Sequence, residues 1–357
     1  MLMNSAPQLI LYLMVLIISA CRTSDSEPTV AEPWNELPAF TYFHRNAVGS
    51  GIWNDQLFVL TEFTLAEVNP DGSALYRLLP LRARFPLPMT QEYIVLYQAD
   101  PAGLVFIPTS RPDAAPDGRV TILFNELGYG NGLTIEQLLS KQNVAVNSNG
   151  QLLLPLRNSS EQEALFLFNV RLSTDRQRVE EVTYQKIDNY PDYAYASTIR
   201  PMGKDFLVSL TSTIGYTFKV YPDGQTKKVS DNQIFSVYPD KNQWYAAVTG
   251  GGTWLSEDNG ETWATFTSDY HSLGIPDITI MQGNTYISGR RVLWNLFEFY
   301  EVTARTDKPG FENRRLDKDG LEGHLLLELR EWRGRVYAIT PTGVFSRSID
   351  DFFSQAE

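Results

Sequence analysis

The sequence has a single cysteine in 357 residues, Cys21, so it forms no internal disulfide and no cluster of thiolate metal ligands. Histidine is almost as scarce. His44, His271 and His324 are scattered, without the His-x-His or His-x-x-x-His spacing of a zinc site. Positive charge is short as well: 30 Lys and Arg stand against 42 Asp and Glu, for a formal net charge of −12. That balance excludes the phosphate-neutralising surface of a nucleic-acid binder. No Gly-x-Ser-x-Gly string and no Walker string occurs. Asp317-Lys318-Asp319-Gly320 holds part of a calcium loop. With Gly320 in sixth place, however, Arg315 and Leu326 fall where the first and twelfth ligands must be acidic, so the string reads as a solvated turn. No metal and no cofactor is expected.

Long apolar runs are also missing. Leu9 to Ile18 is apolar throughout but too short to span a bilayer. It ends in the small residues Ser19 and Ala20, which is the anatomy of a secretory signal. The segment before it, Met1 to Gln8, has no Lys or Arg, leaving the positive charge there to the amino terminus. Ile18-Ser19-Ala20-Cys21 resembles the lipobox of bacterial lipoproteins. That resemblance implies cleavage before Cys21, acylation of its sulfur and its new amino group, and durable anchoring by two or three chains. Arg22 stands where inner-membrane lipoproteins of enterobacteria carry Asp, so the outer membrane is expected, on either face. Residues 1–20 are thus read as a signal peptide and 21–37, polar and proline-containing, as a flexible tether. Residues 38–357 are read as a single domain.

What remains is rich in core-forming residues, 43% hydrophobic and 12% aromatic. Short apolar runs lead repeatedly into turns holding Asp and Gly. Gln56–Leu60 and Leu65–Val68 precede Asn69-Pro70-Asp71-Gly72, and Leu104–Ile107 precedes Pro116-Asp117-Gly118. Leu165–Phe168 leads into Ser173-Thr174-Asp175, and Tyr216–Val220 into Tyr221-Pro222-Asp223-Gly224. Trp244–Val248, Thr285–Ile287 and Val336–Ile339 mark later units, the last followed by Ser348-Ile349-Asp350. Units of about 46 residues match a propeller blade of four strands. One such sheet cannot bury both its faces, so blades must stack around an axis. The fold expected is all-β, a β-propeller of four-stranded antiparallel blades, seven ahead of six or eight. One helical stretch, Thr134 to Gln142, reads as an insertion between the second and third blades.

The most specific string is Ser256-Glu-Asp-Asn-Gly-Glu-Thr-Trp263, which fits Ser-x-Asp-x-Gly-x-Thr-Trp. Ser256 and Asp258 supply short acceptors for backbone N–H groups in a tight turn. Gly260 can take positive φ, and Thr262 and Trp263 restart a strand with the indole as anchor. Residues 234–266, which contain this string, resemble the Asp-box (BNR) repeat. That repeat is found in sialidases, sortilin-type ectodomains, the photosystem II assembly factor family and many bacterial exported proteins. The resemblance implies a propeller, with the box on a peripheral hairpin between third and fourth strands and structural in role. Residues 173–175 and 348–350 look like degenerate boxes.

A sialidase would also need an early Arg-Ile-Pro motif and three arginines clamping a carboxylate. Ala83-Arg84-Phe85-Pro86 lacks that order. Arg200, Arg290 and Arg291 are the arginines placed to approach a channel. Tyr193 and Tyr195, in an aromatic turn-like string, and Tyr270-His271 are candidates for a binding face, or else pack between blades. The reading is a monomeric, lipid-anchored propeller that binds an envelope protein or a glycan through loops at one channel mouth, without catalysis. The alternative is a carbohydrate-active enzyme, sialidase-like or another glycoside hydrolase, with facing carboxylates in the channel.

Overall fold

Runs such as Leu152-Leu153-Leu154-Pro155-Leu156 carry no polar side chain at any position, so neither face of the strand they form can be left in water. In the computed structural model such runs lie mid-sheet, with another sheet against each face. The structure describes residues 31–41, 46–83, 85, 87–129, 143–188, 190, 195–211, 215–240, 242–248, 252–267, 277–282, 285–293, 296–304, 309 and 311–354.

After a two-residue strand, β1 (Asn35–Glu36), the sheets form in chain order. The first holds β2 (Ala47–Trp53), β3 (Gln56–Thr61), β4 (Thr64–Val68) and β5 (Ala74–Leu78). The second holds β6 (Tyr93–Ala99), β7 (Ala102–Pro108) and β8 (Val120–Leu123). The third holds β9 (Ala145–Val146), β10 (Leu152–Arg157), β11 (Glu163–Leu172) and β12 (Val179–Lys186). The fourth holds β13 (Tyr195–Met202), β14 (Asp205–Thr211), β15 (Tyr216–Val220) and β16 (Thr226–Ser230). The fifth holds β17 (Ile234–Asp240), β18 (Gln243–Val248), β19 (Thr253–Ser256) and β20 (Ala264–Thr267). The sixth holds β21 (Asp277–Met281), β22 (Thr285–Leu293), β23 (Leu296–Ala304) and β24 (Phe311–Leu316). The last is β25 (Glu328–Trp332), β26 (Arg335–Thr340) and β27 (Gly343–Ser348), completed by β1.

Within each sheet the strands are antiparallel neighbours in sequence order, except that β1 pairs with β27. First strands touch first strands from sheet to sheet: β9 meets β13, β13 meets β17, β17 meets β21, β21 meets β25, and β25 meets β2. The ring therefore closes around an axis lined by first strands, the architecture of a β-propeller. Its core is cut into inter-sheet clusters. Leu153, Leu165 and Leu167 of the third sheet pack on Ile199, Phe206 and Val208 of the fourth. Leu60 and Leu65 pack likewise on Ile94, Leu96, Val105 and Ile107. Fourth strands are half exposed, as in β12, where Val179 and Val182, either side of a bulge in the pairing with β11, are buried among exposed Glu180, Glu181 and Thr183.

The expectation of seven four-stranded blades is not met in full. Among the described residues six sheets have four strands, and the second has three. Its first strand is reduced to one bridge, Met89 opposite Ile94, beside Thr90 N donating to Tyr93 O at 2.8 Å. Continuing that register needs the N–H of residue 88, which is a proline, so the ladder has no donor there.

The expected tether also needs correction over its last residues. Trp34 and Leu37 are buried, and β1 pairs Asn35 with Ser346 and Glu36 with Phe345. This strand from the start of the domain closes the final sheet. Trp34 packs on Phe299 and Phe352 at 6.0 and 5.9 Å between ring centroids, which explains why so polar a stretch is held. Residues 1–20, Cys21 and the stretch Thr134–Gln142 lie outside the described residues.

Candidate functional site

An up-and-down sheet sends its second-to-third turns, and its connections to the next sheet, out of one end of the ring. First-to-second and third-to-fourth turns leave from the other. Between these ends the first strands enclose a cavity of about 280 Å³ on the axis. Gly49 and Ser50 of β2, Val144 to Val146 around β9, Ile199 to Pro201 of β13, Glu328 and Arg330 of β25, and Leu87 to Met89 line it. Five sheets thus contribute to one space.

Its polar part is built by β2 and β25. Ser50 Oγ donates to Glu328 Oε2, the same oxygen that accepts from Arg330 Nη2 at 3.2 Å. Arg330 Nε donates to Ser50 Oγ at 3.1 Å, and its Nη2 also to Ser50 O at 3.2 Å. The guanidinium plane is therefore fixed by the strand across the ring's closure. Across the cavity, Arg200 Nε donates to Phe235 O of the next sheet at 3.0 Å. The arrangement brings two guanidinium groups and one carboxylate to a small space inside a protein of net charge −12. It can receive a hydrogen-bond-accepting or acidic group. Among the described lining residues Glu328 is the one carboxylate, so the pair of facing carboxylates needed for glycoside hydrolysis is not assembled from them.

Of the residues singled out from the sequence, Arg200 lines this cavity. Tyr195 opens β13 and stands apart, its ring 4.4 Å from the Arg157 guanidinium. Arg290 lies in β22, the second strand of its sheet, where its backbone pairs with Glu298 of β23, and its side chain lies outside the described residues, as does that of Arg291. Tyr193, Tyr270 and His271 also lie outside them. Ser50, Glu328 and Arg330 were missed. The available signal was Glu328-Leu329-Arg330, where the period of a strand puts both charges on one face and buries the leucine between them.

The octapeptide folds as its residues dictate, on the hairpin joining third strand β19 to fourth strand β20. Ser256 Oγ donates to Asp258 Oδ1 at 2.8 Å and accepts from Gly260 N at 2.7 Å. Asp258 accepts from Thr262 N at 2.9 Å and from Thr262 Oγ1 at 2.6 Å. The Thr262 hydroxyl, with the turn's N–H groups, holds the Asp258 carboxyl down at about 2. Gly260 has φ of +77°, and a Cβ there would lie 2.5 Å from Met202 Cε of the fourth sheet. None of the five residues lines the central cavity.

The hairpin of β11 and β12 repeats part of this geometry: Ser173 Oγ donates to Asp175 Oδ1 at 2.5 Å, and Gln177 N to the same oxygen at 3.1 Å. The string at 348–350 does not. Ser348 instead caps the one-turn helix Ile349–Phe352, bonding Asp351 through its N–H and its carboxylate. Asp317, read from sequence as part of a turn, gives one carboxylate oxygen to Arg347 at 2.9 Å.

A buried carboxylate outside the cavity lining joins two sheets. Tyr190 OH donates to Glu163 Oε1 at 2.5 Å, and Ala196 N to the same oxygen at 2.6 Å. Burial pushes the Glu163 carboxyl up, against those bonds and the Arg157 charge. Glu163 tethers the start of β13 to β11, and neither residue lines the axial cavity.

No family model matches the chain, and no curated protein matches it. Among solved structures it is similar to YCF48 bound to a D1 peptide, at 12% identity over 90% of this chain and 98% of that one, with a TM-score of 0.48. It is similar to BamB from Moraxella catarrhalis at 11% identity, covering 85% and 83%, with a TM-score of 0.41. PorZ of Porphyromonas gingivalis matches at 14% identity, covering 84% of this chain and 38% of that one, with a TM-score of 0.34. The propeller assignment stands on the strand pairing itself.

Proposed function

We propose that the chain is a lipid-anchored, exported β-propeller of a bacterial envelope, working as a non-enzymatic binding or assembly module for an envelope protein or a glycan. The partner sits on one end of the ring and places an acidic or hydrogen-bond-accepting group in the axial cavity. The observation that supports this reading is the convergence of Arg200 and Arg330 on one cavity, with Arg330 held in plane by Ser50 and Glu328. Fixed guanidinium groups lose little freedom when they bind, which favours recognition. A glycoside hydrolase would need a second carboxylate facing Glu328.

Cys21 is the proposed acylation site and the outer membrane the proposed address, with a monomer as the working unit. Mass spectrometry of the mature amino terminus tests the anchor. The binding role is tested by affinity capture from detergent-solubilised envelope, paired with a glycan array, comparing wild type with Arg200→Ala/Arg330→Ala. One partner retained by wild type and lost by the double variant is expected. Equal capture by both proteins would refute the role of the cavity.

A further inference from the structure

A second cavity lies at the seam where the last sheet meets the first. It holds about 480 Å³ and is lined by Asn46, Val48, Glu62, Arg82, Phe85 and Pro341, with two alanines between them. Pro341 comes from the turn between β26 and β27, Glu62 from the turn between β3 and β4, and Arg82 and Phe85 from the connection into the second sheet. All belong to one end of the ring.

One wall is polar and tightly built. Glu62 N donates to Asn46 O at 2.9 Å, and Ala83 N donates to Glu62 O at 2.7 Å. Asn46 Nδ2 donates to Glu62 Oε2 at 3.0 Å, and Arg82 Nε pairs with Glu62 Oε1. An amide, a carboxylate and a guanidinium are thus joined, and their charges cancel. The Arg82 guanidinium also lies 5.4 Å from the ring centroid of Phe63. The facing wall is apolar: Val48, Pro341 and Phe85, whose ring is fixed edge-on against Tyr97 at 5.5 Å.

We propose that this seam cavity is a subsite for a short neutral oligosaccharide, separate from the axial cavity. A pyranose has hydroxyls around its edge that both donate and accept, and an apolar face of axial C–H bonds. Planar polar groups on one wall and an aromatic ring with a proline on the other match those two aspects. A charged ligand gains little here, since its counter-charge is already committed to the Glu62–Arg82 pair. An apolar peptide side chain would dry the polar wall without satisfying it. The cavity volume lies within the range of small-ligand sites.

The test is saturation-transfer NMR and calorimetry on the full chain with maltotriose, cellotriose and tri-N-acetylchitotriose, and with glucuronate as the charged control. Wild type is compared with Asn46→Ala, Arg82→Ala and the axial variant Arg330→Ala, each checked by thermal melting. At least one of these sugars binds saturably, about three- to tenfold more weakly in the two seam variants, for the loss of one or two hydrogen bonds. Arg330→Ala leaves that affinity unchanged. Asn46 is exposed, so its variant carries the test even where Arg82→Ala lowers stability. Absence of saturable binding by all three sugars overturns the proposal. So does affinity indifferent to both seam variants, weakened by Arg330→Ala, or exceeded by that for glucuronate. Loss of partner capture at the axial cavity would leave this site standing, and the reverse also holds.

Discussion

Lys219 Nζ of β15 lies 2.6 Å from Oε1 of Glu261, across the boundary between the fourth and fifth sheets. Lys219 is 1% exposed and also bonds Asp205 Oδ2 at 2.9 Å and Asn259 O at 2.8 Å. Glu261 accepts further bonds from Lys227 at 2.7 Å and Tyr221 at 3.0 Å. It fills a position that the octapeptide pattern leaves open, yet through it the hairpin is bonded to its neighbour. Lys219→Met leaves buried Asp205 without its cation, at an expected cost of ~3–5 kcal/mol in urea unfolding. Adding Asp205→Leu should recover most of that loss. A single-variant cost near zero would show that the pair does not join the sheets.

Acid should loosen the same corner. Lys219, Lys227 and Tyr221 hold Glu261 down at about 2 against the desolvation that pushes it up, and Asp258 is also at about 2. Both folded values lie below the ordinary carboxylate values, so their stabilisation is full above about pH 4.5 and lost as pH falls toward 2. In Asp258→Asn the slope of unfolding free energy against pH should be shallower over that window and unchanged above it. Parallel curves for the two proteins would contradict the assignment.

Gly260 carries two demands, and they can be separated. Its φ of +77° disfavours any side chain, and Met202 approaches closely. Gly334 has φ of +72° with nothing within 4 Å of an added Cβ. Gly334→Ala should cost ~1–2 kcal/mol for backbone strain alone. Gly260→Ala should cost more, and Met202→Ala in the same chain should remove the excess. Equal melting temperatures for the two single variants would show that the approach of Met202 is tolerated freely.

The repeat was legible because its signals are local. Asp71-Gly72 and Asp223-Gly224 make the positive-φ turns their residues require, and Ser256 with Asp258 makes the bonds their spacing requires. Blade completion was less legible, since Pro88 looks like any loop proline until the Met89–Ile94 register shows which N–H is missing. The closing strand was hidden in a stretch as polar as a tether, its anchor Trp34 packing on residues more than 260 positions away. The axial site was hidden for a related reason. Arg200 stood out only as an arginine, while its companions Ser50 and Arg330 are brought together by ring closure, which has no local signature.

Ring closure by the amino-terminal strand predicts a large effect from one residue. Trp34 is 4% exposed between Phe299 and Phe352, so Trp34→Ala is expected to cost ~3–5 kcal/mol. Hydrogen exchange should then quicken first in β27, which loses its partner β1. Exchange that rises uniformly over all sheets would point to global loosening instead.

The central claim, that a partner occupies the axial cavity, is tested most directly by photo-crosslinking in cells. A benzoylphenylalanine at position 49 would start from the cavity lining, where a Cβ added to Gly49 meets nothing within 4 Å. The same group at Leu78, exposed on rim strand β5, serves as the control. The account predicts a discrete adduct from position 49 that disappears in Arg200→Ala/Arg330→Ala, and none from position 78. An adduct from the rim alone would contradict it.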